Sequence, residues 1–244
     1  SSNQAYLASG SNTVYNLPIS NGLISVQNSF GTICIDYQCP TNANISSSVS
    51  LSSQLVHAAN FNGQSSAVSI ASSNGINFDM NTPFSFSFFM KSTQSGNGII
   101  ISKYRTTIDT GWQFQILNGQ LRMAFVCSGS YLIVHENPLV DDGNWHHIAM
   151  TYDGKNTATS ITIYVDGSAE PLTVENNNCV GSVSNGDNLV FGQASTLPVG
   201  QYYSGQLGNM QVYNSQLTAN QVLQLYNSGI PPSAAATIPM SWYP

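Results

Sequence analysis

The sequence predicts an all-β fold of antiparallel strands, with one short helix near its C-terminal end. Three observations carry that prediction. Apolar and polar residues alternate with period two in run after run, the pattern of strands with one buried face. Asn-Gly, Asp-Gly and Ser/Thr/Asn-rich turns separate the runs. Helical spacing behind a cap signal appears at a single place, after Thr218.

Taken in order, residues 1–50 are nearly uncharged and hold the apolar pieces Tyr15-Asn-Leu17, Leu23-Ile-Ser-Val26 and Thr32-Ile-Cys-Ile35, which read as short strands or as an arm. Asn44-Ile45-Ser46 is an N-glycosylation sequon, and SSSVSLSS (residues 46–53) reads as a linker or plain edge strand. Phe61-Asn-Gly63 reads as a turn before the alternating run Ala67 to Ile70. Phe84, Phe86, Phe88 and Met90 point one way, and Ser85, Ser87, Phe89 and Lys91 point outward. Ile99 to Ser102 is a short buried run. Phe114 and Ile116 pass through Asn118-Gly119, a two-residue hairpin signal, to Leu121, Met123 and Phe125. Tyr131 to Val134 follows.

The stretch Asn144 to Gly167 is the clearest hairpin. Ile148, Met150 and Tyr152 alternate with His147, Ala149 and Thr151, and Ile161, Ile163 and Val165 alternate with Thr162, Tyr164 and Asp166. Its loop, DGKNTATS, holds nothing apolar enough to bury. Leu189 to Gly192 and Gly205 to Tyr213 complete the strands. Thr218 and Gln221 make a capping box, Val222, Leu225 and Tyr226 sit at helical spacing, and Gly229 supplies the stop of a helix of about two turns. The tail IPPSAAATIPMSWYP is limited by its prolines to extended or edge geometry, while Met240, Trp242 and Tyr243 call for burial.

Composition excludes several function classes. Charged residues make up 7% of the 244, with five Lys+Arg against eleven Asp+Glu. A net charge of −6 argues against nucleic acid and anionic membrane surfaces as partners. No apolar run approaches the roughly 18 residues of a membrane span. The chain begins at Ser1 without methionine or leader-like run, consistent with a removed signal segment or an artificial start. The four cysteines lack the close pairing and flanking histidines of a zinc site. Two disulfides, Cys34–Cys39 and Cys127–Cys179, are expected, with free buried thiols the alternative. Disulfides imply a place outside the reducing cytosol.

From residue 53 to 229 the succession FNG, PFSFSFFMK, the NG hairpin, DDGNWHHIAMTYDG, ITIYVDG, LVFGQ and YYSGQLGNMQVYNSQLTANQVLQLYNSG resembles the laminin-G-like, pentraxin-like group of concanavalin A-type jelly rolls. WHHIAMTYDG, IYVDG and the last motif with its helix are the most specific parts. The resemblance implies a two-sheet antiparallel jelly-roll sandwich over residues 53–229. Residues 1–52 are then a strand-prone extension or arm, and 230–244 an extended apolar tail.

The resemblance implies a binding or spacer module more often than an enzyme. Sandwich glycosidases need two flanking carboxylates, whereas Glu170 and Glu175 read as loop residues and Glu136 stands alone after His135. Composition leaves a Ser–His–Asp arrangement open, but there is no G-x-S-x-G; His146 and His147 read as strand residues near Trp145, and His57 and His135 are isolated. Relatives often carry a rim calcium with Asp where this chain has Asn62 and Asn209, so no cofactor or metal is assigned and a structural calcium is only weakly supported. Asp141, Asp142 and Asp153 read as turn formers. Sugar binding wants aromatic planes beside groups that bond hydroxyls in pairs. Tyr104, Arg105, Trp112, Arg122, Tyr131, Tyr202 and Tyr203 are the residues so chosen.

Two functions compete. One is a non-catalytic, lectin-like recognition or adhesion module displayed extracellularly, on a cell or on a virion, with a glycan or glycoprotein surface as partner. The other is a structural subunit of a filament, fibre or virion, in which copies join by edge pairing through residues 1–52 and 230–244.

Overall fold

A computed structural model describes residues 58–72, 76–194 and 201–228, together with the backbone of five short strands nearer the N-terminus. Those five are β1 (Ala5–Ser9), β2 (Thr13–Leu17), β3 (Thr32–Ile35), β4 (Ala43–Ile45) and β5 (Ser50–Ser52). Then come β6 (Ala58–Asn62), β7 (Val68–Ile70), β8 (Phe84–Lys91), β9 (Gly98–Arg105), β10 (Thr110–Leu117), β11 (Gln120–Cys127) and β12 (Tyr131–Glu136). The chain continues through β13 (Trp145–Tyr152), β14 (Ile161–Val165), β15 (Ser168–Ala169), β16 (Leu172–Asn177), β17 (Leu189–Phe191) and β18 (Ser204–Tyr213) to the helix α1 (Ala219–Ser228).

Two antiparallel sheets form the sandwich. The eight-stranded sheet runs β16-β12-β11-β10-β9-β17-β7-β4, the seven-stranded sheet β15-β14-β13-β8-β18-β6-β5, and β2-β1-β3 make a small third sheet. The alternation of FSFSFFMK explains the joint between the large sheets. Phe84, Phe86 and Phe88 reach across to Trp112, Phe114 and Phe125, with ring centroids 4.9 Å apart for Phe86–Phe114 and 5.3 Å for Phe84–Trp112. Each such ring, fully buried, contributes roughly 1.5–3 kcal/mol. Asn118 and Gly119 both have positive φ, 54° and 79°, so the β10–β11 turn has the twist that a two-residue hairpin requires. The β13–β14 hairpin pairs Ile148 with Val165 and Tyr152 with Ile161.

Five expectations are corrected. Phe61 and Asn62 belong to β6 and the turn begins after them. The 153–160 loop does bury residues, since its 3-10 turn carries Ala158 and Ser160 inward and Asn177 Oδ1 accepts the Ala158 amide at 2.8 Å. Glu175 lies in a strand, β16, at the sheet edge. The helix spans ten residues, longer than two turns, behind the capping box: Gln221 Oε1 accepts the Thr218 amide at 2.8 Å and Thr218 Oγ1 that of Gln221 at 3.3 Å. Finally, Ser85 and Ser87 are buried.

Both serines lie on the outer face of the seven-stranded sheet, which the C-terminal segment covers. Ala149, Tyr164, Tyr213, Leu217, Val222 and Leu225 form a second apolar cluster there. Ser85 Oγ donates to the Ser215 carbonyl at 3.0 Å and accepts the Leu217 amide at 2.9 Å. Leu23–Val26, the side chains of Cys34 and Cys39, His57 and the tail with Met240, Trp242 and Tyr243 lie outside the described residues.

Candidate functional site

The eight-stranded sheet keeps a polar outer face. Strand parity puts Trp112, Phe114, Met123, Phe125, Leu132 and Val134 in the core, so Gln113, Arg122, Ala124, Val126, Tyr131 and Ile133 face away from it. They line a groove of about 520 Å³, joined by Tyr104, Thr106, Asp109, Ala194 and Gln201.

The register sets this face out in rows. Tyr104, Gly111, Val126 and Tyr131 are neighbours across four strands, and Ser102, Gln113, Ala124 and Ile133 form the next row. Gly111, at φ 139°, brings the chain so close that a Cβ would stand 2.2 Å from the Lys103 carbonyl. Only a glycine fits there, because the Asn185 amide and the β9 backbone fill the space a side chain would need. Asp109, itself at φ 48°, accepts from Tyr104 OH at 2.7 Å, from Tyr131 OH at 3.5 Å and from the Gly129 amide at 3.2 Å. Burial, together with the Asp109 hydrogen bond, pushes the Tyr104 hydroxyl up. Farther along β11, Arg122 donates from Nε and a terminal nitrogen to the two carboxylate oxygens of Glu175, each at 2.9 Å. That pair holds Glu175 below the usual carboxylate range.

Of the seven residues chosen for sugar contact, the structure brings Tyr104, Arg122 and Tyr131 together in this groove. Trp112 and Tyr203 are corrections. Both are 0% exposed: Trp112 shares the inward parity of Phe114, and the Tyr203 hydroxyl donates to the carbonyls of Lys91 and Gln206, each at 3.3 Å. Tyr202 is half-buried and is absent from the groove lining, as is Arg105, whose guanidinium bonds Asp187 Oδ1 from Nε at 2.9 Å. Asp109 and Gln113 were missed. Gln113 shared parity with Gln115 on a strand whose other face was aromatic, which was the available signal.

The histidine pair serves the scaffold. His147 Nε2 and Ser87 Oγ are 2.9 Å apart, but both are buried, and His147 Nδ1 has no partner among the described residues. Burial lowers the His147 pKa to about 4. Among the described residues no carboxylate bonds that ring, and both side chains are buried, so the pair lacks the oriented base and accessible hydroxyl of a catalytic dyad. His146 is held by Asp166 through Nδ1 at 2.9 Å and by Asp142 through Nε2 at 3.1 Å, which ties two turns together.

The sequence model of the concanavalin A-like lectin/glucanases superfamily, laminin G type, matches residues 62–223. The chain belongs to that superfamily. Similar solved structures include the receptor binding domain of botulinum neurotoxin D, with TM-score 0.61 and 13% identity over 86% of this chain and 52% of that one. The botulinum neurotoxin serotype G binding domain gives TM-score 0.58 and 17% identity over 91% and 50%. The binding domain of Paraclostridial Mosquitocidal Protein 1 gives 0.54 and 14% over 93% and 52%. The chain thus spans about half the length of these structures, and at such identities the likeness is one of fold. No curated protein sequence matches.

A calcium at the rim does not fit Asn62, because its Oδ1 already accepts the amides of Gln64, Ser65 and Ser66 at 3.0, 2.9 and 3.1 Å. The Asn209 Oδ1 accepts from Gln211 at 2.9 Å. Among the described residues no cluster of three or more His, Cys, Asp or Glu could hold a metal. As for paired carboxylates, Asp109 and Glu175 hold opposite ends of the groove and are committed to Tyr104 and Arg122, while Glu136 is buried elsewhere.

Proposed function

We propose that the protein is a non-catalytic binding module that recognises a polyhydroxylated ligand, a glycan, in the groove on its eight-stranded sheet. The observation that carries this is the groove's make-up: two tyrosines sharing one carboxylate, an Arg–Glu pair, an amide, and an aliphatic floor between. Hydroxyls donate and accept at once, so they bond to such pairs, while the C–H faces of a sugar ring pack on aromatic and aliphatic carbon. A module built for anions would present uncommitted cations, and Arg122 is paired. The binding domains among the similar folds and the Cys127–Cys179 disulfide agree with a recognition role outside the reducing cytosol. Among the described residues no helix is long and apolar enough to cross a membrane.

The filament reading keeps less support. It calls on edge pairing through both residues 1–52 and 230–244, whereas β4 pairs with β7 and β5 with β6 of the same chain; residues 230–244 lie outside the described ones.

The test is a glycan array followed by titration calorimetry of the hits, with and without calcium. Hits are expected, calcium-independent, and weakened about tenfold or more by Tyr131→Ala, the loss of a stacking face and a hydroxyl. Absence of any hit, or hits untouched by Tyr131→Ala, would overturn the groove as the site.

A further inference from the structure

We propose that the groove is an extended site for a linear, uncharged oligosaccharide, held by two polar clamps at opposite ends of the outer face of β11. The proposal rests on the glycan reading above and goes further, to the length and charge of the ligand.

The rows of the sheet give the length. Val126, Ala124 and Arg122 are successive outward residues of β11, and four residues of strand cover about 14 Å. The first clamp stands beside Val126, where Tyr104 and Tyr131 both donate to Asp109, at 2.7 and 3.5 Å. The second is Arg122 with Glu175, its two N–H···O contacts at 2.9 Å each. Between them the lining side chains are carbon, Ala124, Val126 and Ile133, recessed among larger neighbours at 2%, 6% and 8% exposure. A single sugar ring reaches one clamp and part of that lining. A chain of rings lying along β11 reaches both clamps and sets its C–H faces on the carbon between.

Charge decides the other half. Among the described residues, Glu175 neutralises the one cation lining the groove, and Asp109 adds a carboxylate with no basic partner. A uronate or sulfate would have to displace Glu175 from a bidentate pair and then lie in the field of two carboxylates, the freed Glu175 and the resident Asp109, in a chain of net charge −6. Hydroxyls join both clamps without breaking either.

Titration calorimetry on the full chain tests this with cello-, manno- and galacto-oligosaccharides from the monosaccharide to the hexasaccharide, alongside sulfated counterparts of equal length. In at least one neutral series affinity should climb at least about tenfold from the monosaccharide and then level off once both clamps are spanned. Arg122→Ala should remove the climb, so that affinity no longer rises with length, and Asp109→Asn should weaken every length. Affinity that is independent of length overturns the extended site but leaves the glycan reading standing. Tighter binding of the sulfated series overturns the uncharged ligand. Silence at every length in every series overturns both, and far-ultraviolet circular dichroism of the two variants separates lost contacts from lost fold.

Discussion

The carboxyl of Glu136 is fully buried at the end of β12, and its two oxygens are treated unequally. Oε1 accepts the Leu121 amide at 2.9 Å, whereas Oε2 has no partner among the described residues. Burial raises the pKa to about 7 from an ordinary 4.5; the Leu121 amide opposes this, Glu170 adds to it and His146 opposes it. The folded state therefore holds this proton more tightly than the unfolded chain. The stabilising share is fully present below about pH 4.5, declines as pH rises, and is gone above about pH 7; its size is on the order of 3 kcal/mol. His146 acts with the same sign. Burial lowers its pKa, but the bonds to Asp166 and Asp142 outweigh that and raise it, so its stabilisation also fades as pH climbs through the raised value. His147, held at about 4, acts with the opposite sign between about pH 4 and pH 6.5, so Glu136→Gln should remove a falling contribution and leave the variant's urea midpoint rising relative to wild type between about pH 5 and pH 8. Equal slopes in wild type and variant would show that Glu136 does not titrate in that window.

At the scale of elements, α1 is the piece whose loss should be most local. It covers the outer face of the seven-stranded sheet through Val222 and Leu225, both at most 1% exposed, against Ala149, Tyr164, Tyr213 and Leu217. Leu225→Ala removes a buried side chain there and should cost about 2–5 kcal/mol, and Thr218→Ala, which breaks the capping box, about 1 kcal/mol. The helix also seals His147, whose ring centroid lies 6.0 Å from that of Tyr226. Burial is what holds that histidine down at about 4, so loosening α1 should let it drift up towards its ordinary 6.5. Unfolding in guanidinium reads the first effect, and an NMR titration of the His147 ring reads the second. A Leu225→Ala protein with unchanged stability and an unchanged His147 midpoint would remove α1 from its role as a cover.

Over the whole molecule, what could be read in the sequence was what is written locally. The β8 alternation, the Asn118-Gly119 turn and the Thr218–Gln221 box each depend on residues within a few positions, and each recurs in the structure. Strand β16 was illegible because, at a sheet edge, five of its six residues are exposed and LTVENN carries no alternation. The groove was half legible. Tyr104, Arg122 and Tyr131 were chosen by type, but their union depends on the β9–β10–β11–β12 pairing, and the same choice by type took in Trp112, whose parity with Phe114 places it in the core. One long-range link was read correctly, the Cys127–Cys179 disulfide, and it joins fold to site. It fastens the end of β11 to the segment after β16, where the Asn178 amide donates to the Tyr131 carbonyl at 2.9 Å and Asn178 Oδ1 accepts the Tyr131 amide at 3.3 Å. The same segment reaches Ser130, whose Oγ accepts the Val180 amide at 2.9 Å. With a sequence separation of 52, the cross-link restricts the unfolded chain by up to about 4 kcal/mol. Replacing both cysteines by alanine should lower the unfolding free energy by up to that amount and, at a temperature where both proteins remain folded, weaken the proposed glycan binding, because Tyr131 loses the anchored strand beside it. Calorimetry below the melting range separates the two effects. Reduced stability with unchanged affinity makes the disulfide a staple of the fold alone, and reduced affinity in a fully folded variant makes it part of the wall of the groove.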